Sequence, residues 1–260
     1  MAIRRRGLWS LTQRHIDGAR AENFWADDVV FAMYASSDHF REARRSVRDL
    51  RQKFPNNRII FYNMGLTKQE EDEVSRVCNL TIRRFDFSSY PSYASDLYNY
   101  AFKMFIMAEM MADGRPFWMV DTSVTFKTVE CVRTFYDEVN NGTAPDYLMQ
   151  GSTGFMNIDF TDPAMFKYLP NPPKLAAQKQ NGAAHVFMRP SRTTKLAAKW
   201  LLLCALTKDC IASPTATRYC KRENRQRGCH RYDQSAQNAV RYAVLRDPAL
   251  IFYPSICGPK

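Results

Sequence analysis

Near-continuous apolar runs alternate with 3.6-periodic stretches along the first half of the chain. Residues 28–35, DVVFAMYA, carry apolar side chains at almost every position, the pattern of a strand buried on both faces. Ser36, Ser37 and Asp38 follow, residue types that cap helices. Phe40, Ala43, Val47, Leu50 and Phe54 then recur at helical spacing with Arg and Asp between them. Residues 58–65, RIIFYNMG, predict a second strand. TKQEEDEVSRVC (67–78) opens on a threonine and an acidic first turn and predicts a helix. LTIRRFDF (80–87) predicts a third strand, 94–112 one long helix, and PFWMVDTSVTF (116–126) a fourth strand ending in polar residues.

This β-α-β-α-β-α-β order predicts an α/β fold with a doubly wound, Rossmann-like sheet and helices on both faces. The second half is less regular. It predicts strands at 145–151, 154–160 and 183–188, a short helix at 161–169, and a Ser-capped helix at 191–207. A loop over 208–229 precedes a last helix at about 233–246. Residues 1–27 form a basic N-terminal extension and 28–255 a single domain. It falls into two halves, 28–126 and 127–255. In open α/β sheets ligands bind beyond the carboxyl ends of the strands. That points to YASSD (34–38) and DTS (121–123).

Composition changes this picture little: 45% of the 260 residues are apolar, as in a globular protein. Charge changes it more. The net charge is +11, of which +4 sits in residues 1–20 and +5 in 218–231. Two short basic segments fit an anionic ligand near residue 230, such as a phosphate, better than a nucleic-acid-binding face. There is no GxGxxG and no GxxxxGK[ST], which argues against a classical dinucleotide fold and a P-loop. No apolar run reaches the roughly 18–20 residues that span a bilayer.

Cys204, Cys210, Cys220 and Cys229 are spaced C-x5-C-x9-C-x8-C without any CxxC. Disulfides pinning a long loop fit this spacing better than zinc, and so does an oxidising compartment. The sequons at Asn79 and Asn141 agree with that compartment. Free cysteines would instead indicate the cytoplasm.

Four segments carry candidate chemistry. Asp121 lies at the mouth of a buried strand, with Ser123 two residues on and, in extended chain, on the same face. A carboxylate and a hydroxyl there suit a divalent cation and a diphosphate. Lys103 is the one charge in YAFKMFIMA and has no acidic neighbour a helical turn away, so it needs an anion or a route to water. His185 sits in an apolar strand after an Asn-Gly turn. CHRYDQSAQN (229–238) sets His230, Arg231, Asp233, Gln234 and Asn238 at a helix start, where they can hydrogen-bond a sugar beside a phosphate.

In order, these pieces resemble the GT-A nucleotide-sugar glycosyltransferases. VVFAMYASSDHF ends a first strand in a polar loop, and RIIFYNMGL is similar to that fold's strand followed by Tyr-Asp-x-Gly-Leu. FWMVDTSVTF ends a strand in an acidic motif. NGAAHVFMRPSRTTKLAAKW followed by YDQSAQN resembles the motif order of glycogenin-like and lipopolysaccharide galactosyltransferase-like enzymes. YAFKMFIMAE, FWMVDTSVTF and CHRYDQSAQN together resemble an uncharacterised metazoan family of glycosyltransferase-like proteins, abundant in nematodes, over residues 28–245.

The resemblance implies a glycosyltransferase, a UDP-sugar donor and a glycan or glycoprotein acceptor, in the Golgi or ER lumen or secreted. Ala35, Ser36, Lys103 and Arg231 would bind the donor. Asp121 and Ser123 would stand at the D-x-D position that holds Mn²⁺ or Mg²⁺ and the diphosphate, with His230 or His185 completing the metal site. Asp233 and Gln234 would lie beside the transferred sugar. The motif order also implies retention of anomeric configuration. The chain departs from the pattern in reading D-T-S, which lacks one metal carboxylate, and in lacking the His-x-x-Gly-x-x-Lys-Pro-Trp segment. A catalytically inactive binding protein and a nucleic-acid-binding protein with a four-cysteine zinc loop are the alternatives.

Overall fold

The computed structural model describes residues 22–217, 229–245, 248–251 and 253. Residues 1–20 and 218–228, most of the two basic segments, lie outside them.

Six strands make one sheet. β1 (Val30–Ala35), β2 (Ile59–Asn63), β3 (Leu80–Arg84) and β4 (Phe117–Val120) are mutually parallel. β5 (Tyr147–Met149) and β8 (His185–Met188) extend the sheet past β4 in the order β3-β2-β1-β4-β8-β5, with β8 antiparallel to both neighbours. The chain winds from β1 to β3 on one side, then returns to lay β4 against the other side of β1. That reversal is a topological switch point, and it opens a crevice at the carboxyl ends of β1 and β4. β6 (Ser152–Met156) and β7 (Lys179–Asn181) pair separately.

Period-2 alternation sorts the side chains of the buried strands onto two cores. Phe31, Met33, Ile59, Phe61, Trp118 and Val120 face α1 (Phe40–Lys53), α2 (Lys68–Ser75) and α4 (Val129–Asn141). Val30, Ala32, Tyr34, Ile60, Tyr62, Phe117 and Met119 face α3 (Ala101–Ala112), α6 (Arg192–Leu206) and α7 (Tyr232–Val244). The expected Rossmann-like sheet with helices on both faces is therefore present. α1 buries Phe40, Ala43, Val47 and Leu50, the stripe its spacing predicts. Thr67 and Glu70 form a capping box at the start of α2, and Ser191 accepts from the backbone of Thr194 at the start of α6.

Several elements differ from the sequence reading. Ser36, Ser37 and Asp38 do not cap α1; Ser37–His39 is a single 3-10 turn without a side-chain cap. The helix expected over 94–112 begins only at Ala101. Asp96 accepts from the N–H of Tyr98, Asn99 accepts from that of Ala101, and Tyr100 takes φ 58°. These side chains capture donors that a continuous helix would need. The fourth strand stops at Val120, and a turn closed by Val124 N–H to the Asp121 carbonyl follows. The strand expected over 154–160 is split: Ser152–Met156 is extended, and Asn157–Phe160 is one helical turn, α5. The helix expected over 161–169 is a 3-10 segment, Pro163–Lys167. Helix α4 and strand β7 have no counterpart in the sequence reading.

Cys204 and Cys210 form a disulfide at the end of α6, and Cys131 and Cys229 are also disulfide-bonded. Three of the four cysteines of the 204–229 segment are thus bridged, which excludes a four-cysteine zinc site. Among the described residues, no helix is long and apolar enough to cross a membrane.

Candidate functional site

The pleat places the first site residue. Val30, Ala32 and Tyr34 of β1 lie opposite Phe117, Met119 and, one step past β4, Asp121. Asp121 keeps the ladder going by donating its N–H to the Ala184 carbonyl at 2.8 Å. Its side chain therefore continues the face of Phe117 and Met119, toward α3 and α7. There the Tyr34 hydroxyl donates to Asp121 Oδ1.

Lys103 arrives from the first turn of α3 and Asp233 from the first turn of α7. The Lys103 ammonium is 2.8 Å from Asp121 Oδ1, 3.1 Å from its Oδ2, and 3.3 Å from Asp233 Oδ2. It also lies over the Tyr34 ring at 5.5 Å and the Tyr100 ring at 5.2 Å. The side chains of Lys103 and Asp233 are 6% and 8% exposed and that of Asp121 is 27%, so the cluster is closed behind and opens at Asp121. The anion Lys103 requires is therefore protein: two carboxylates distant in sequence, rather than a helical neighbour or solvent.

Burial works against the Lys103 ammonium. The carboxylates of Asp121 and Asp233 outweigh it and hold its pKa well above that of an ordinary lysine. Burial raises the Asp233 carboxyl; Lys103 opposes this and Asp121 adds to it. Burial, with Asp121 second, also holds the Tyr34 hydroxyl protonated far above the usual range. Asp233 Oδ2 is buried with no hydrogen-bond partner among the described residues, leaving its ion pair with Lys103.

A cavity of about 340 Å³ opens over this cluster, lined by Lys103, Asp121, Asp233, Gln234, Arg231, His230, Tyr100, Tyr232, Gln150 and Gly182 among others. Five of the sequence-predicted donor, sugar and metal residues thus share its wall with His230: Lys103, Asp121, Arg231, Asp233 and Gln234. Arg231 lies over the Phe155 ring at 5.5 Å, and its Nε is buried without a hydrogen-bond partner among the described residues. Gln234 Nε2 donates to Gln180 Oε1 at 2.6 Å, and Gln180 ties β7 to Phe160, Thr161 and Ser235. Gly182 packs closely on Gln150: a Cβ there would stand 2.5 Å from Gln150 Oε1 and would require that side chain to shift.

Other predicted residues lie elsewhere. Ala35 is buried at the end of β1, and Ser36 hydrogen-bonds Asp38; neither lines the cavity. Ser123 is exposed in the turn after β4, so the extended geometry that would align it with Asp121 is absent. Asn238 exchanges two hydrogen bonds with the backbone of Asn181, clamping α7 to β7, and does not line this cavity. His185 packs on Trp118 and Phe126, and burial lowers its pKa to about 4 against the pull of Asp121.

His230 does not fit the metal role. Its Nδ1 accepts from the Asp162 N–H at 3.1 Å and its Nε2 donates to the Ile211 carbonyl at 2.9 Å, so both ring nitrogens are spent. Among the described residues, no group of three His, Cys, Asp or Glu side chains could hold a metal ion. Among the described residues, therefore, Asp121 lacks the further ligands that a D-x-D cation site needs. The sequence reading includes Tyr34, Tyr100 and Tyr232 in its candidate segments but gives none of them a role. The αL backbone of the last two, φ 58° and 42°, has no single-sequence signature in tyrosine.

Residues 10–108 match a family of proteins of unknown function, DUF1647. No curated protein matches the chain. Among solved structures, the bifunctional glycosyltransferase WbbM aligns at 11% identity and TM-score 0.45, over 70% of this chain and 35% of that one, so the match spans about a third of WbbM. The galactosyltransferase LgtC, solved with donor and acceptor sugar analogs, aligns at 12% identity and TM-score 0.46, over 89% of this chain and 88% of that one. Core-mannan synthase A of Aspergillus fumigatus, in its Mn/GDP form, aligns at 9% identity and TM-score 0.43, over 74% of this chain and 69% of that one.

Proposed function

We propose that the chain is a glycosyltransferase that moves a sugar from a nucleotide-diphosphate donor, a UDP-sugar in the first instance, to a hydroxyl of a glycan or glycoprotein. The observation that carries this reading is the convergence of Lys103, Asp121 and Asp233 on one cavity at the switch point of the sheet. Three sequence segments that resemble glycosyltransferase motifs supply these residues.

The chemistry asks for two things at such a site. The bond between the anomeric carbon and the diphosphate breaks, and its electron pair leaves with the diphosphate. An acceptor oxygen forms the new bond and passes its proton to the departing diphosphate. The cavity must offset the developing negative charge and hold the sugar in one orientation. Arg231, with a buried unpartnered Nε, suits the first task. Asp233 and Gln234, at the N-terminus of α7 and on the cavity wall, suit the second, because a carboxylate and an amide offer acceptors and donors to sugar hydroxyls. The bridged cysteines favour an oxidising compartment, such as the Golgi or ER lumen or the exterior.

Release of nucleotide from UDP- and GDP-sugars by the purified chain tests the reading. Turnover of one donor should fall about a hundredfold in Asp233→Asn, the scale of a misplaced reacting group. Turnover that Asp233→Asn leaves unchanged would contradict it. The D-T-S turn, with Ser123 exposed, favours a second reading: a catalytically inactive relative that binds nucleotide or glycan. Nucleotide binding without turnover of any donor would select that reading.

A further inference from the structure

Both oxygens of Asp121 face the Lys103 ammonium at 2.8 and 3.1 Å, and the Tyr34 hydroxyl shares Oδ1. Asp233 closes the other side at 3.3 Å, and two tyrosine rings cover the remainder. A divalent cation bound to Asp121 would stand beside this fixed ammonium in a poorly solvated site, where like charges repel strongly. The second carboxylate of a D-x-D pair is Ser123 here, exposed and turned out of line, and His230 has no ring nitrogen to give.

The same cavity holds a cation without an acidic partner. Arg231 forms no ion pair among the described residues, and its buried Nε donates to nothing there. A buried donor left unmatched is costly unless a ligand accepts from it. A guanidinium fork beside an open cavity matches two phosphate oxygens at once. His39, Arg83 and Arg189, by contrast, are each paired with a carboxylate.

We infer that this site binds its nucleotide diphosphate without a divalent cation: Lys103 neutralises the carboxylate pair, and Arg231 holds the diphosphate. The inference rests on the nucleotide-sugar reading above. In the transfer step the departing diphosphate takes the electron pair of the broken bond, and its added charge falls on Arg231. Lys103 remains an ammonium throughout and keeps Asp121 and Asp233 in place.

Thermal shift with UDP and with GDP, each in excess EDTA and in Mn²⁺, tests this on the intact chain. The expected result is a rise of the same size in EDTA and in Mn²⁺ for one nucleotide. Affinity should weaken about ten- to hundredfold in Arg231→Gln and less in Arg231→Lys, which keeps the charge and loses the fork. A rise that needs Mn²⁺ overturns the inference and leaves the nucleotide-sugar reading standing. No rise with either nucleotide in either condition overturns that reading, and the inference with it. Mn²⁺ titration followed by paramagnetic resonance gives a readout independent of nucleotide. Wild type should bind none, whereas Lys103→Ala, which frees two facing carboxylates, should bind it; saturable Mn²⁺ binding by wild type overturns the inference.

Discussion

Lys103 shows how much one residue can depend on distant partners. Its side chain is 6% exposed, and its ammonium is held by carboxylates 18 and 130 positions along the chain. Lys103→Met should cost about 3 kcal/mol of stability, because it leaves the buried carboxylate of Asp233 and the half-buried one of Asp121 facing each other without a cation. Urea unfolding measures the loss, and adding Asp233→Asn should restore part of it. Loss of packing alone would not be relieved by the second change. His185 gives a prediction in pH. Its folded pKa of about 4 lies below the unfolded value of about 6.5, so between these values the unfolded chain binds more protons. Stability should fall as pH drops through that window, by at most about 1.4 kcal/mol per unit, and His185→Phe should flatten this acid limb. The sequence marked Lys103 as a charge in need of a partner, and Asp121 and Asp233 as separate candidates. It could not pair them, since the pairing is set by strand register and by the placement of α7, both of them tertiary.

At the scale of elements, the buried strands were the most legible. A run apolar at every position, such as VVFAMYA, has one stable use in a domain of this size, with helices on both faces. Periodicity starts the helix at 94 because it counts apolar side chains and ignores their polar neighbours. Asp96 and Asn99 take over backbone donors and delay the helix to Ala101. α4 was overlooked although Val132, Phe135, Tyr136 and Val139 keep helical spacing and Gly142 ends it at φ 85°. Extending the DTS strand to Phe126 hid that start, and it also misplaced Ser123. The end of α6 carries its own prediction. Cys204 and Cys210 close a short loop, with a sequence separation of 6, so replacing both by Ala should cost about 2 kcal/mol by loop entropy. Thermal unfolding of the double variant checks this, and an unchanged midpoint would mean that the bridge adds nothing to the fold.

For the whole molecule, topology decides where chemistry can occur. Winding β1 to β3 one way and placing β4 on the other side opens a crevice where Asp121 leaves the sheet. Antiparallel β8 then seats Ala184 against Asp121, and α7 delivers Arg231, Asp233 and Gln234 to the same cavity. The excess positive charge of the chain is concentrated in two segments, one of which ends at Arg231. A crystal structure with UDP or GDP shows whether this cavity takes a nucleotide sugar. The expected result is a diphosphate within hydrogen-bonding distance of the Arg231 guanidinium, with the sugar-facing end toward Asp233 and Gln234. Nucleotide seated elsewhere, or none at a concentration that saturates the thermal shift, would contradict it.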